Sequence, residues 1–392
     1  GRFTKGAALT LKAWIDLYWG DIIKDPRPSS IFPADPQKAL DAYKACAETC
    51  QEIMGLGVYD LMPTREDAFK EENNNCKEQV FAYQCNKTFP KSRRSKIFGP
   101  YNEATGATGD YIGAGAPTQA LVDMYGMKNG LPIDDPNSGY DPEHPFENRE
   151  PRFYASVAYN GSVWHMLNAD INQKEEKDVQ IFYYRGESDG YKIGTNWLNT
   201  GIGIKKFVHP NDLSDADKAY DASRIEAKYA PDIRYAEILL NYAEALNEVQ
   251  GTYEIPSWNG EKMHTITRTT EELKKGVQPI RIRAGLPDYD VYDSPDKFRI
   301  KIKRERQIEL FAEGHRFFDI RRWCDAPVEE SVPMYGCNIY ISKEDPAGFH
   351  TPVETTSMPT MFSTKMWFWP IHHYIMKRNL LMTQNPGWRD PE

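Results

Sequence analysis

No apolar run in this chain approaches the roughly 20 residues needed to cross a bilayer as a helix, so no transmembrane span is expected. No Lys/Arg cluster stands out either. Its 48 basic and 57 acidic residues give a formal net charge of −9. Phosphate binding rests on a basic face, so nucleic acid is not an expected partner. The cysteines, at 46, 50, 76, 85, 324 and 337, form no CxxC pair and have no histidine cluster beside them, which argues against zinc. The acidic turn Asp134-Asp135-Pro136-Asn137 offers oxygen ligands that suit calcium but lacks a full loop signature, and no metal or cofactor is assigned. The opening "GRFTKGAALTLKAWIDLYWG" has no charged n-region or signal-peptide core, so targeting is not legible in it.

Cys46 and Cys50 lie four apart on a predicted helix, an awkward placement for a mutual disulfide. Cys76/Cys85 and Cys324/Cys337 each bracket a loop, and the residues leave two readings open: bridges in an oxidising compartment, or partly buried free thiols. Rings are abundant instead, with 9 Trp, 23 Tyr and 17 Phe making 12% of the chain. Many stand beside Gly, Asn and Pro in polar stretches, where a flat ring serves as a binding surface.

Helical spacing of Ala8, Leu11, Ile15, Tyr18 and Ile22 predicts a first helix over about 4–24, stopped by Asp25-Pro26. Asp35-Pro36 reads as cap plus first helical position for a second, with Leu40, Tyr43, Ala47, Cys50 and Met54 as its stripe. The pair suggests a helical-hairpin array of the tetratricopeptide kind. From 59 to about 208 the texture is loop chemistry with short strand candidates ("EQVFAYQCN", "FYASVAY", "VQIFYY", "GIKKFV") and a short helix in "PTQALVDMYG". So much irregular chain in a compact protein is more often functional than idle. Helix is predicted again from Asp232, and another opens at Ser294-Pro295 and runs to Gly314, with a shorter one after it. The last sixty or so residues read as coil with a strand at "MWFWPI".

The helix from Pro295 carries the densest chemistry, "RERQIELFAEGHRFFDIRRW". At about 100° per residue, Phe298, Ile302, Glu305, Glu309 and Ala312 share one stripe, so two carboxylates stand where apolar residues are expected. One reading makes Glu305 and Glu309 the acid/base pair of a glycoside hydrolase. Such pairs, however, normally flank a substrate across a cleft. The preferred reading is a buried brace of Glu305, Glu309, Arg316, Asp319 and Arg321, drawing on the arginines at 304, 306, 316, 321 and 322. Phe317, Phe318 and Trp323 are then expected to wedge into the core past Gly314.

"KRERQIELFAEGHRFFDIRRW" closely resembles the signature helix of the SusD/RagB family of outer-membrane nutrient-binding lipoproteins. "IRYAEILLNYAEALNEV" is similar to the family's preceding helix, and "IRIRAGLP" to the linker between them. "PTQALVDMYGMKNGLPID", "EPRFYASVAYNGSVW", the opening helix and the tail "MWFWPIHHYIMKRNLLMTQNPGW" with Gln384-Asn385-Pro386-Gly387-Trp388 complete the likeness, in family order. The resemblance implies a mostly α fold: a SusD-like α/α superhelix with tetratricopeptide-like hairpins plus an irregular region with short strands. One domain over 1–392 is expected, with a helical scaffold at 1–57 and 231–325. A loop-rich ligand-binding region at 58–230 and a closing coil and strand at 326–392 complete it.

The resemblance also implies a non-catalytic, extracellular-facing protein of the outer membrane. Such a protein captures oligosaccharides or other nutrients for a TonB-dependent transporter of the SusC type. Relative to the family pattern, an N-terminal helical portion and the lipid-bearing cysteine are not among these residues, so the anchor is implied by resemblance alone. A protein-interaction scaffold is the remaining alternative. Between the family segments, Trp197 with Asn196 and Asn199, Trp258, and Tyr101 and Tyr111 with Asn102 and Asp110 are the candidate sugar-binding residues. Rings stack on sugars while amides and carboxylates bond hydroxyls, usually on loops carried by a rigid scaffold. Trp164 and Trp367 are assigned to the core.

Overall fold

Thr4 and Asp35 open the first two helices as their chemistry suggests. In the computed structural model the Thr4 hydroxyl accepts from the Ala7 N–H and α1 spans Lys5–Lys24. Asp35 accepts from the Lys38 N–H, Pro36 takes the first helical position, and α2 spans Pro36–Gly55. The structure describes residues 3–25, 32–70, 73, 75–83, 116–168, 175–187, 190–191, 198–207, 214–215, 230–355, 360–379 and 381–389. The two helices lie antiparallel, with Lys5 donating to Glu52 at 3.0 Å, Lys12 to Thr49 at 2.8 Å and Tyr43 to Asp21 at 2.6 Å. The buried stripe of α1 differs from the expected one. Gly6, Ala7, Leu9, Thr10, Ala13, Leu17, Gly20 and Ile23 are buried, whereas Leu11 and Ile15 are exposed. Close approach contributes: a Cβ on Gly20 would stand 2.8 Å from the Tyr43 ring, so the face that meets α2 there must be small.

Short elements follow: β1 (Gln79–Tyr83), α3 (Gln119–Met124), α4 (Pro151–Ser156), β2 (Val157–Ala158), β3 (Ser162–Asn168), β4 (Glu175–Ile181), β5 (Gly203–Ile204), β6 (Ser214–Asp215) and β7 (Ala230–Arg234). β3 pairs antiparallel with β4 and parallel with β6, β1 with β7, and β2 with β5. Two expectations change here. "FYASVAY" begins as helix, because Pro151 presets a helical first turn before Val157 turns extended. The stretch from Asp232 finishes β7, so α5 starts later and spans Tyr235–Asn247.

Nearly every residue of α5 is buried, the mark of a central helix. The hairpin β8 (Thr252–Pro256) and β9 (Met263–Thr267) leads into α6 (Thr270–Arg283) and α7 (Pro295–Glu309). α6 goes unpredicted because Gly276 and Pro279 weaken its helical signal. A Cβ on Gly276 would stand 2.5 Å from the Leu239 carbonyl and 2.6 Å from the Ala243 Cβ, so this glycine lets α6 meet α5. α7 stops short of Gly314. Ala312 and Gly314 adopt φ of 60° and 95°, and α8 (Arg316–Arg322) begins anew.

Beyond lie α9 (Ala326–Glu329), β10 (Tyr335–Gly336), α10 (Pro346–His350), β11 (Val353–Glu354, paired with β10) and α11 (His373–Arg378). "MWFWPI" forms no strand. A 3-10 turn occupies Thr364–Trp367, and side chains take its backbone carbonyls: Trp388 Nε1 donates to Lys365 and Phe368, each at 3.0 Å, and Asn385 to Trp369 at 2.6 Å.

Two apolar cores result. One gathers α1, α2, α5 and α6 with Phe298 and Ile302 of α7; the other joins Tyr125, Phe153, Trp164, Tyr183 and Phe349 to Ile308 of α7. α7 therefore stands between them. Trp164 is buried as expected, while Trp367 is half-buried. Cys337 is a buried free thiol, so the Cys324/Cys337 bridge is not formed, while Cys76 is a free thiol whose candidate partner Cys85 lies outside the described residues. Among the described residues no helix is long and apolar enough to cross a membrane.

Candidate functional site

α7 presents Glu305 and Glu309 inward at the boundary of the two cores, where both are almost wholly shielded from solvent. Glu305 accepts from Arg152 at 2.6 Å, Arg281 at 3.2 Å and the Tyr289 hydroxyl at 2.8 Å. Glu309 accepts from Arg283, from Arg234 at 3.1 Å and from Arg152 at 3.3 Å. Glu78 shares Arg234 and Arg283, and Glu313 is gripped by Arg234 and Lys206, at 2.7 and 2.6 Å. Burial alone would raise these carboxyls. The guanidiniums outweigh it, holding Glu305 below and Glu309 well below the usual carboxylate range, and Glu313 at about 2.

A second nest lies under α8. Arg306 donates to Asp319 at 2.8 Å, to Glu237 at 3.3 Å and to Asn241, while Arg322 bridges Asp319, Glu244 and Asp21. His315 sits 3.3 Å from Glu237.

Two brace candidates lie elsewhere. Arg316 pairs with Glu329 at 2.8 Å on a half-exposed edge, and Arg321 pairs with Glu330 at 2.8 Å and covers the Phe317 ring. Arg321 follows Asp319 by two residues, about 200° round the helix, and so points away from the nest. Arg304 donates to the carbonyls of Met124 and Asp123. The expected wedge also fails: Phe318 is exposed, Phe317 meets Trp369 edge-on, and Trp323 stays half-buried by donating to Glu244 at 2.6 Å.

A general acid must carry a proton near its working pH and reach a substrate. Glu305 and Glu309 do neither, being ionised, saturated with arginine and enclosed. The hydrolase reading built on them is thereby removed. Among the described residues no group of His, Cys, Asp or Glu is arranged to hold a metal ion.

Trp197, Asn196, Tyr101, Asn102, Tyr111 and Asp110 lie outside the described residues. Asn199 is exposed in the turn before β5, beside Leu198 of the second core. Trp258 caps the β8–β9 hairpin with 57% of its surface exposed, and the Lys5 ammonium lies 5.7 Å from its ring centre. That hairpin packs on α2, so Trp258 and Asn199 belong to different parts of the fold. Two rings overlooked in the sequence, Tyr191 and Tyr340, pack against each other. Tyr191, which precedes the Trp197 segment, packs edge-on against Tyr340 at 4.9 Å between ring centres. Tyr340 is 56% exposed, and the Arg185 N–H donates to the carbonyl of its neighbour Ile341 at 2.9 Å. The sequence carries little signal for it, because Tyr340 is flanked by Ile339 and Ile341.

The SusD family model matches residues 77–388, and the chain belongs to that family. SusD-like protein P2 of Formosa agariphila is 36% identical over 97 residues, which is 24% of this chain and 16% of that protein. A SusD-like protein of Bacteroides fragilis NCTC 9343 superposes with a TM-score of 0.68 at 27% identity, covering 99% of this chain and 66% of its own. A SusD-like carbohydrate binding protein from the same strain shares the fold at a TM-score of 0.62 and 23% identity, over 93% of this chain and 69% of its own. This chain thus spans about two thirds of its solved relatives and matches a smaller share of the curated one.

Proposed function

We propose that the protein binds oligosaccharides at a cell surface without cleaving them. It hands them to a SusC-like, TonB-dependent transporter of the outer membrane, to which a lipid anchor outside these residues holds it. The observation that carries the reading is the division of labour in a SusD-family chain: the charged helix is closed to ligand, and polar rings face outward. One domain, 1–392, with its helical pairs acting as a tetratricopeptide-like platform, supports the ligand loops. Recognition falls to Trp197, Tyr191 and Tyr340, with Asn196 and Asn199 bonding hydroxyls. Tyr101, Asn102 and Tyr111 are further contacts, and Trp258, on a different part of the fold, is a separate one.

Screening the protein against a panel of oligosaccharides, with product analysis by mass spectrometry, tests this. Binding with no shortened product is expected. Absence of binding to every glycan would leave a non-sugar nutrient or a scaffold, and release of new reducing ends would refute the reading outright.

A further inference from the structure

Between Glu354 and Asp390 the chain carries no acidic residue, although the whole protein is acidic at −9. The same stretch holds Lys365, Lys377, Arg378 and Arg389 with His372 and His373. Of its described residues from Thr360 to Arg389, Met376 alone is buried. The segment is braced through its own backbone, with Gln384 bonding the Ile371 N–H at 2.7 Å and its carbonyl at 2.9 Å, and Trp388 Nε1 tying down Lys365 and Phe368. Held this way, it turns its apolar side chains outward. Leu381 is 96% exposed and Trp369 72%, with Phe368, Tyr374 and Ile375 exposed beside them. The Arg378 guanidinium lies 4.2 Å from the Tyr374 ring centre, so cation and ring project together.

We infer that this C-terminal face, with Trp369, Tyr374, Ile375, Lys377, Arg378 and Leu381, docks onto an anionic lipid surface. Three features select that occupant. The cations are unopposed by acids of the same stretch, so a negative surface attracts them. Trp and Tyr beside Lys and Arg match the boundary between headgroups and acyl chains, where one end of each side chain is wet and the other apolar. Leu381 and Trp369 keep most of their apolar surface open, which suits a medium that closes around them. The inference is independent of the glycan reading, because none of these residues is among the sugar candidates.

Co-sedimentation of the full chain with phosphatidylcholine vesicles, with and without phosphatidylglycerol, tests it. The protein is expected to partition onto the anionic vesicles, to do so less as salt rises, and to stay in solution with the neutral ones. Lys377→Gln/Arg378→Gln is expected to lower the partition coefficient about 25-fold, about fivefold per charge. Leu381→Ser is expected to lower it as well, with an unchanged melting temperature because the side chain is exposed. Equal partition of wild type and the double variant would overturn the proposal. So would an absence of binding to either vesicle by protein shown to be folded, and the face would then belong to chain outside these residues or to a protein partner.

Discussion

Arg234→Met is the sharpest perturbation of the brace. The guanidinium contacts Glu78, Glu309 and Glu313, all at most 3% exposed, and methionine keeps much of its volume while removing every donor. Glu78 and Glu309 would retain Arg283, and Glu313 would retain Lys206. Removing one partner from such a buried set costs about 3–5 kcal/mol. At about 2.1 cal/mol/K per residue, 392 residues give an unfolding entropy of about 0.8 kcal/mol/K, so the melting temperature should fall by about 4–6 °C. Arg316→Ala is the control. Its pair with Glu329 is 33% and 47% exposed, and such pairs contribute about 0–1 kcal/mol, a shift of about 1 °C at most. Differential scanning calorimetry of both variants decides the matter. If Arg234→Met melts with wild type, or Arg316→Ala falls as far, the buried cluster does not hold the fold.

Gly276→Ala should destabilise by about 1–3 kcal/mol in urea unfolding, because the added Cβ meets the α5 backbone rather than a movable side chain. Glu309 and Glu313 are held below their unfolded values, so their contribution is complete above about pH 4.5 and is lost as pH falls toward 2. Unfolding free energy should therefore decline across that window, and decline less in Glu313→Gln; an identical slope in the variant would refute the assignment. Trp197→Ala should weaken glycan binding about tenfold with the melting temperature unchanged, and an unchanged affinity would remove that ring from the site.

How much of this was legible follows from how far each interaction reaches along the chain. Thr4, Asp35 and Ser294 cap helices through contacts to backbone three residues away, and such local chemistry is visible in a sequence. The need for guanidinium beside Glu305 and Glu309 was visible too, because a buried carboxylate demands it. Which arginines answer was not: Arg152, Arg234, Arg281 and Arg283 lie between 24 and 157 positions away, and neighbours such as Arg316 and Arg321 face outward instead. α1 misled because apolar residues stand on more than one side of it, and the face that meets α2 is the one where Gly20 permits close approach, with Leu9, Leu17 and Ile23 buried beside it. Tyr340 went unnoticed because its partner Tyr191 is distant in sequence and its neighbours Ile339 and Ile341 are apolar.

Titrating one bound oligosaccharide into Glu309→Gln and Tyr340→Ala side by side, with calorimetric melting of each, puts the separation of brace from binding surface to the most direct test. The account predicts that Glu309→Gln melts lower yet binds as wild type when still folded, and that Tyr340→Ala melts as wild type yet binds about tenfold more weakly. Lost affinity in folded Glu309→Gln together with full affinity in Tyr340→Ala would contradict it.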